Sequence, residues 1–506
     1  MKHLIPGFII ILLMLKGYSQ TWQSQFILIH EKNHLQYFPD KEGNVIPDFS
    51  RVGYASGEKE IPDIPVVESI NPAKGDNTRL IQNAIDRVGV RPPDKNGFRG
   101  AVLLKKGTYR VDGTLLINNS GIVICGEGAG TDGTVVIETA TTKLDLFSFR
   151  GEGNRRTELN MVVAVSEEFV PVGRKYVILE NAKSFKTGDP VLLYRPGSEN
   201  WIKDLKMDQI DAREGLKQWT KDDYPLNFER IVTKIEGNKV YLDHPVVMQM
   251  DKKYGGGFLM KYTFPGRISH CGIENLRMES AYRSETDEEH GWNAISFSRV
   301  SQAWVRNVVS RFFGYSCVTI DSNSRNISVL DAQCLDAKSQ ITGGRRYSFN
   351  CGGQLNLFKN CYATEGRHDF VTGARVCGPN VFTRCKARNT HSDIGPHHRW
   401  ACGTLFDLID TDGEINVQDR GNYGTGHGWS GVTQVLWNCR SPKTSVQSPW
   451  VSGHNYCVGL IGGKWAGRFP DRPDGVWEGL NKPGLQPESL YEAQLKERLT
   501  EKPDPK

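Results

Sequence analysis

Short apolar runs, each bounded by charged or turn-forming residues, recur along most of the chain. AVLLKKGTYRV (101–111), GIVICGEG (121–128) and NVFTRC (380–385) are three examples. Such runs are long enough for a β-strand and too short for a typical helix. From Ile268 onward they return at intervals of about 17 to 25 residues, a period typical of one coil per repeat in a solenoid. The pattern predicts an all-β solenoid whose coils bury each other's apolar faces.

One amphipathic helix is predicted ahead of most of these strands, in KGDNTRLIQNAIDRVG (74–89). Asp76 or Asn77 is a suitable N-cap. The apolar residues that follow at helical spacing are Ile81, Ala84, Ile85 and Val88. We expect this helix to cover the open end of the first coil, where it would protect an exposed strand edge.

Other segments depart from the coil pattern. The N-terminus has a basic start, an apolar run and a small-residue site, as in a secretory signal peptide. Turn-rich runs such as RIVTKIEGNKVYLDHPVV (230–247) predict a small β insertion. The predicted organisation is a signal peptide (1–19), an N-terminal segment with the capping helix and first coils (20–154), the β insertion (155–262), the main coils with a catalytic cleft (263–465) and a C-terminal tail (466–506).

The opening strings resemble a known superfamily. GDNTRLIQNAID (75–86), AVLLKKGTYRVDGTLLI (101–117) and GIVICGEGAGTDGTVV (121–136) look like the start of the pectate-lyase-like superfamily. The resemblance implies a right-handed parallel β-helix. It also implies a protein that cuts or binds polysaccharides, because most members do one or the other, but it does not specify the reaction.

The charge balance limits the choice of partner. The chain has 63 basic and 58 acidic residues, a net charge of +5, which does not favour nucleic acid. After the N-terminus, no run approaches the roughly 20 apolar residues of a membrane span. We expect a monomer, secreted or periplasmic, with an acidic polysaccharide as partner, no nucleic acid and no membrane span.

The eleven cysteines also follow the coil period. Cys317, Cys334 and Cys351 are 17 residues apart, as are Cys385 and Cys402. This spacing favours buried thiols at similar coil positions over disulfides, although an exported chain would permit disulfides. The absence of any C-x-x-C pair in the sequence argues against a zinc site.

Candidate chemistry is concentrated between residues 366 and 431, which hold five of the twelve histidines. In the string GPHHRW (395–400), His398 could act as base or acid. Arg399 could form a forked pair with a carboxylate. Asp369 could orient the ring of His368, and Tyr347 could protonate a leaving oxygen. With a repeat of about 22 residues, these three residues fall near one line with position 393.

The predicted site is therefore a single cleft along consecutive coils. The predicted catalytic residues are His398, Arg399, His368, Tyr347 and Asp369. The predicted substrate-binding residues are Arg346, His397, Asp393, His427, Trp429 and His290. No metal ligand is predicted, and calcium at the acidic cluster 285–289 is the one candidate cofactor, although that cluster lacks EF-hand spacing. Each group also fits a structural role in a salt-bridged turn, a coil corner or the core.

Two reactions suit a polar cleft of this kind. β-Elimination from a uronic acid needs a cation on the carboxylate, a base and an acid. Hydrolysis usually needs two carboxyl groups. Gly426-His427-Gly428, with Asp407 and Asp410 before it, is similar to polygalacturonase-like hydrolases but lacks their adjacent aspartates and R-I-K string. We expect a polysaccharide lyase acting on a ulvan, pectic, alginate or glycosaminoglycan type of polymer. The alternatives are a hydrolase of that kind and a non-catalytic glycan binder.

Overall fold

The computed structural model describes residues 21–31 and 34–500. The predicted signal peptide over residues 1–19 lies outside the described residues. The elements before the insertion are β1 (Trp22–Gln23), β2 (Ile27–Ile29), β3 (Leu35–Tyr37), β4 (Val66–Ile70), α1 (Thr78–Gly89), β5 (Gly100–Leu104), β6 (Gly107–Val111), β7 (Leu115–Ile117), β8 (Ile122–Gly126), β9 (Thr134–Glu138) and β10 (Leu144–Arg150).

The next elements form the insertion. They are β11 (Arg156–Ala164), β12 (Phe169–Val170), β13 (Tyr176–Ile178), β14 (Pro190–Arg195), α2 (Glu199–Asp204), β15 (Leu226–Glu236), β16 (Lys239–Leu242), β17 (Met250–Asp251) and β18 (Phe258–Thr263). Six of these strands form an antiparallel sheet in the order β11-β18-β14-β15-β16-β13.

The main coils and the C-terminal segment follow. Their elements are β19 (Ile268–Ser280), β20 (Gly291–Ser298), β21 (Val300–Arg311), β22 (Ser316–Ile320), β23 (Arg325–Leu335), β24 (Phe349–Cys351), β25 (Leu357–Lys359), β26 (Tyr362–Thr364), β27 (Phe370–Thr372), β28 (Cys377–Thr383), β29 (Lys386–Arg388), β30 (Asp393–Pro396), β31 (Ala401–Asp407), β32 (Asp410–Thr411), β33 (Glu414–Val417), β34 (Gly431–Val432), β35 (Val435–Trp437), β36 (Arg440–Val446), β37 (Tyr456–Val458), β38 (Ile461–Lys464), β39 (Val476–Glu478), β40 (Leu485–Gln486) and α3 (Leu490–Thr500).

Three ladders of parallel strands run along the solenoid. One ladder is β4-β5-β8-β19-β21-β23-β25-β28-β31-β35-β37-β39. A second is β6-β9-β19-β21-β23-β26-β29-β32-β36-β38. The third is β7-β10-β20-β22-β24-β27-β30-β33-β36. The fold is the expected right-handed parallel β-helix, with an N-terminal capping helix and a small β insertion.

The corner between the first and second ladders shows how the sequence bends each coil. One residue per coil adopts a left-handed conformation there, and the series is Asn275, Asn307, Asp331, Asn360, Arg384, Leu408 and Asn438. Asn and Asp tolerate this conformation better than other residues with a side chain, and they occupy most of these positions. The residue after each corner is buried in the solenoid, which closes the coil around its apolar interior.

The solenoid core is built from aligned apolar rungs. Phe358, Phe382 and Phe406 stack on consecutive coils with ring centroids 4.5 and 5.5 Å apart. All eleven cysteines lie within the described residues, and none forms a disulfide. Ten of them are buried, so the prediction of buried thiols is confirmed. Cys361, Cys385 and Cys439 each follow a corner residue and face the core.

The helix α1 lies where the amphipathic pattern predicted a helix. Asn77 is its N-cap, and the buried residues of the helix include Ile81, Ala84, Ile85 and Val88. They join the solenoid core at its N-terminal end, which confirms the capping role. No helix in the described ranges is long and apolar enough to cross a membrane.

The insertion packs its own apolar core onto one side of the main coils. That core also contains Trp400, Trp429 and Val432 of the solenoid. The Trp400 ring meets Trp201 edge to face at 4.8 Å. The indole nitrogen of Trp429 donates to the backbone carbonyl of Leu205 at 3.3 Å. The insertion is thus fixed against the coils that carry the histidines.

Candidate functional site

A polar cleft of about 670 Å³ opens along the coils between residues 343 and 468. The residues that line it are Gly343, Gly344, Tyr347, Arg367, Ser392, Asp393, His397, His398, Glu414, Asn416, Gln418, Arg420, Tyr423, Gly424, His427, Lys443, Trp465 and Arg468. Most of them precede or follow strands of the third ladder, so the register of that ladder determines which side chains meet.

The register brings Tyr347 and His368 together. Phe349 of β24 pairs with Phe370 of β27. Tyr347 lies two positions before Phe349, and His368 lies two positions before Phe370. The rings of Tyr347 and His368 meet edge to face with centroids 4.7 Å apart. The chain after β30 adds His397, whose ring centroid lies 4.3 Å from that of His368. Strand pairing therefore assembles residues from three consecutive coils.

A hydrogen bond links the phenol to this histidine group. The hydroxyl of Tyr347 and Nε2 of His397 are joined by a hydrogen bond of 3.1 Å. His398 and His427 extend the group, with centroids 5.0 and 5.2 Å from that of His397 and 4.8 Å from each other. His398 and His427 are partly exposed, so they are the imidazoles that a ligand in the cleft can reach.

The environment keeps these imidazoles neutral. Burial, followed by neighbouring positive charges, lowers the pKa of His398 to about 4 and that of His427 to about 3. Burial also lowers the pKa of His397, together with the neighbouring histidines. Burial raises the pKa of Tyr347, although Arg367 and Arg420 partly offset the effect. At neutral pH the cleft thus holds unprotonated imidazoles beside a protonated phenol.

His368 is held by a second buried network. Its Nδ1–H donates to the backbone carbonyl of Asp393 at 2.9 Å, and the carboxylate of Asp393 lies 3.3 Å from the same nitrogen. The other carboxylate oxygen of Asp393 pairs with the guanidinium of Arg420. Burial lowers the pKa of Arg420 to about 10, so it stays charged at neutral pH. This network fixes the ring of His368 against Tyr347.

The cleft carries an excess of positive charge. Its cationic side chains are Arg367, Arg420, Arg468 and Lys443, whereas its carboxylates are Asp393 and Glu414. Each carboxylate already has a cationic partner, since Asp393 pairs with Arg420 and Glu414 with Lys443. Arg367 and Arg468 bond mainly to uncharged groups, namely the carbonyl of Gly343 and the amide of Asn422. The cleft therefore suits an anionic ligand.

The loop 420–428 forms one wall of the cleft, and the insertion supports it from behind. The indole of Trp219 donates to the carbonyl of Gly426 at 3.2 Å, and the amide of Lys217 donates to the carbonyl of Thr425 at 3.2 Å. A Cβ at Gly428 would lie 2.4 Å from the sulfur of Met207. The position of His427 thus depends on contacts with the insertion.

Two of the predicted catalytic residues lie outside the cleft. Arg399 has a left-handed backbone, and its guanidinium turns to Thr425, where it lines a separate pocket. It follows His398 directly, and the left-handed turn at Arg399 directs the two side chains into different cavities. Asp369 is buried, bonds to the hydroxyl of Ser348 at 2.6 Å and has its pKa raised by burial to about 7. Asp393, rather than Asp369, orients His368.

Three of the predicted binding residues also lie elsewhere. Arg346 is buried and donates to the backbone carbonyl of Ser339 at 2.6 Å, which makes it a structural residue. His290 is buried between the hydroxyl of Ser280, at 2.8 Å, and the carbonyl of Lys338, at 2.9 Å. Trp429 is fully buried beneath the insertion. Segments distant in sequence cover His290 and Trp429, whereas Arg346 turns inward to a carbonyl seven residues earlier.

The aspartates named for the hydrolase alternative do not reach the cleft. Asp407 is buried and accepts hydrogen bonds from Thr383 at 2.8 Å and from the backbone amide of Leu490 at 3.1 Å. It therefore fixes the start of α3. Asp410 pairs with Arg388 at 2.9 Å on the second ladder. The predicted residues that do line the cleft are Tyr347, His397, His398, His427 and Asp393, and His368 lies against them.

Several cleft residues were missing from the predicted site. Arg367 and Arg420 lie inside the histidine-rich stretch, 26 residues before and 27 residues after Asp393, which is close to one coil. Lys443 and Arg468 come from later coils, outside the histidine-rich stretch. The coil period could have indicated the first two, whereas only the folded chain reveals the last two.

The candidate cofactor has no preformed site. Among the described residues, no group of three or more His, Cys, Asp or Glu is arranged to hold a metal ion. In the acidic cluster, Asp287 pairs with Arg283 at 2.9 Å, and Glu288 pairs with Lys143 at 3.1 Å. Calcium would have to displace these cations.

Comparison with known proteins gives only distant similarities. No family model and no curated protein matches the chain. Three solved structures show similarity over most of it: Geobacillus virus E2 ORF18 (11% identity, 82% of this chain and 60% of that chain, TM-score 0.37), the Azotobacter vinelandii mannuronan C-5 epimerase AlgE6 A-module (10%, 82% and 94%, 0.31) and PfbA, a surface adhesin of Streptococcus pneumoniae (8%, 82% and 92%, 0.33). The chain spans less than two thirds of the viral protein. These similarities are too weak to support a statement about activity.

Proposed function

We propose that the cleft cleaves a uronic-acid-containing polysaccharide by β-elimination. The observation that carries the proposal is the hydrogen bond from Tyr347 to His397 inside a cationic cleft bordered by neutral imidazoles. This arrangement offers a proton donor, a base and a carboxylate clamp within one cavity. Those are the three groups that elimination from a uronate requires.

The clamp in this proposal is Arg367. Its side chain and the phenol of Tyr347 both line the cleft, and its positive charge partly offsets the burial that raises the pKa of that phenol. A uronate carboxylate paired there would make the adjacent C5 proton more acidic, since the cation stabilises negative charge that develops on the carboxyl group. Arg420 adds positive charge but is already paired with Asp393.

The base is His398 and the acid is Tyr347. His398 takes the C5 proton, the electron pair forms the C4–C5 double bond, and the C4–O bond breaks. Tyr347 gives its proton to the departing oxygen, and His397 keeps the hydroxyl oriented through the 3.1 Å hydrogen bond. An anionic substrate would raise the lowered pKa of His398, which makes it a stronger base when the cleft is occupied.

We extend the proposal to further expectations from the sequence that concern family, location, oligomeric state and cofactor. They are membership of the pectate-lyase-like superfamily, secretion or periplasmic location, and a monomeric chain with calcium as the one candidate cofactor. The polymer would be of ulvan, pectic, alginate or glycosaminoglycan type.

One assay separates the three hypotheses. The purified chain is incubated with polygalacturonate, alginate, ulvan and chondroitin, while ultraviolet absorbance and reducing ends are followed together. A lyase produces both signals, because elimination leaves an unsaturated uronate, and His398→Ala abolishes both. Reducing ends without absorbance would mean hydrolysis, for which Asp393 and Glu414 are the carboxylates in the cleft. Binding without either signal would mean a glycan-binding protein.

A further inference from the structure

A second cationic pocket lies behind the loop that borders the cleft. It has a volume of about 310 Å³ and is lined by Lys217, Gln218, Trp219, Asp223, Tyr224, Arg375, Arg399 and Thr425. The insertion supplies the first five residues, and the solenoid supplies the other three. Neither segment alone would form this pocket.

The pocket and the cleft share the same chain segments. His398 lines the cleft, whereas Arg399 lines the pocket. Gly424 and His427 lie on the cleft side of the loop, and Thr425 lies on the pocket side. One short loop therefore separates the two cavities.

Two arginines are held side by side in the pocket. The backbone amide of Arg375 donates to the carbonyl of Arg399 at 2.8 Å, so they occupy neighbouring coils. The guanidinium of Arg375 donates to the backbone carbonyl of Asp223 at 2.8 Å, and that of Arg399 donates to the carbonyl of Thr425 at 3.1 Å. These carbonyl contacts orient both groups without neutralising their charges.

The cations of the pocket are not paired with carboxylates of the described residues. In the part of the chain that the structure describes, Lys217, Arg375 and Arg399 form no ion pair. The one carboxylate that lines the pocket, Asp223, accepts a hydrogen bond from Thr220 at 2.8 Å. By contrast, Arg384 on the same solenoid pairs with Glu492 at 2.8 Å. Neighbouring like charges repel one another, and a bound anion would relieve this repulsion.

We propose that Lys217, Arg375 and Arg399 form a second anion subsite, which binds a carboxylate or sulfate group of the polymer that occupies the cleft. The inference rests on the proposed function, because it names a second anionic group on the same substrate. Arginine guanidiniums form forked hydrogen bonds with both kinds of oxyanion. The subsite would then favour polymers with closely spaced anionic groups over those with isolated ones.

The subsite is tested by binding rather than turnover. All proteins carry Tyr347→Phe, so that a lyase would not degrade the probe, and affinity electrophoresis is run at low salt. The gels contain polygalacturonate, which has carboxylates, or dextran sulfate, which has sulfates. Lys217→Gln, Arg375→Gln and Arg399→Gln should each weaken retention by roughly three- to tenfold, as expected for a lost charge-assisted hydrogen bond. The effect should diminish in salt, because exposed charges are screened.

The matched control is Arg388→Gln, an arginine of the same solenoid that pairs with Asp410 and lines neither cavity. It should be retained like the parent protein. If the pocket variants are retained more weakly by polygalacturonate alone, the bound anion is a carboxylate. If they are retained more weakly by dextran sulfate alone, it is a sulfate. Lys217 is exposed and its side chain forms no contact that the fold needs, so its variant excludes misfolding as the cause.

Two results would overturn the subsite: equal retention of the three variants and the parent, or no retention of the parent on either probe. Because no chemical step is measured, absence of lyase activity in the earlier assay would leave this result unaffected. Loss of retention in the pocket variants of a protein without lyase activity would support the subsite and refute the proposed reaction.

Discussion

The hydroxyl of Tyr347 lies 3.1 Å from Nε2 of His397, although 50 residues separate the two positions. One coil of the solenoid, which carries β27, lies between them, and parallel pairing of β24, β27 and β30 brings them together. If Tyr347 is the acid, Tyr347→Phe should lower kcat by about 10²–10⁴ while KM changes little. The ultraviolet product assay measures both constants.

The control for that variant is Tyr315→Phe. The Tyr315 ring stacks on Tyr347 at 5.1 Å but does not line the cleft. The Tyr315→Phe variant loses an equivalent hydroxyl on the neighbouring coil. Its kcat should match that of the unmodified chain. Full activity of Tyr347→Phe would exclude the phenol as proton donor.

The pH dependence of kcat/KM should report a histidine with an unusually low pKa. His398 must be neutral to accept a proton, and its pKa is lowered to about 4. Activity should therefore stay constant from neutral pH down to about pH 5 and fall near pH 4, instead of falling near 6.5 as for an ordinary histidine. Arg399→Gln should move the acid limb to higher pH, because removing a nearby cation raises the pKa of His398. A fall of kcat/KM near pH 6.5 in the unmodified chain would contradict the lowered pKa of His398.

The same histidines should make stability depend on pH. In the unfolded chain they bind protons below about pH 6.5, whereas the folded cluster stays neutral down to about pH 4. The unfolded state binds more protons in that window, so the free energy of unfolding should decrease as pH falls from 6.5 to 4. Urea titrations at several pH values measure this free energy. The variant His398→Ala should show a weaker dependence of stability on pH.

The ion pair between Asp393 and Arg420 should contribute to stability as well as to the site. Both side chains are 6% exposed. Asp393→Asn would leave a buried guanidinium without its counter-charge, which typically costs about 3–5 kcal/mol. Asp410→Asn, which breaks the partly exposed pair with Arg388, should cost under about 1 kcal/mol. Urea denaturation measures the free energy of unfolding of both variants. Equal losses of stability would mean that the buried pair contributes no more than the partly exposed one.

Contact between the insertion and the loop 420–428 should be needed for activity. Gly428 has φ +55°, and a Cβ there would lie 2.4 Å from Met207 and 2.7 Å from Trp219. Gly428→Ala should displace the loop, and with it His427, so kcat/KM should fall and the melting temperature should drop. Gly237→Ala is the matched control, since Gly237 has φ +60° but no atom within 4 Å of an added Cβ. The control should show only the backbone strain, about 1–2 kcal/mol, with normal activity.

The cysteines should remain reduced in an oxidising medium. Because ten of the eleven are buried in the core and none is paired, titration with a thiol reagent in denaturant, without reductant, should find all eleven thiols. The melting temperature should be the same with and without reductant. A lower thiol count or a stabilising effect of oxidation would show that disulfides form.

Local sequence pattern was sufficient to predict the coils, the helix α1 and the buried thiols. These features depend on short-range rules, namely strand-length apolar runs, an amphipathic helical stripe and a coil period that repeats cysteines at core positions. The same period placed Tyr347, His368 and the residues near position 393 close to one another before the pairing was known.

Only the tertiary structure decided which side chains face the cleft. His398 and Arg399 are adjacent in sequence, yet they line different cavities, because the chain turns at Arg399 through a left-handed conformation. Trp429 is covered by an insertion from about 200 residues earlier, and Lys443 and Arg468 reach the cleft from later coils. Such contacts depend on long-range packing, which the repeat period alone does not predict. The sequence by itself thus determined the solenoid and the region of its chemistry, whereas packing of the insertion and the later coils determined the composition of the site.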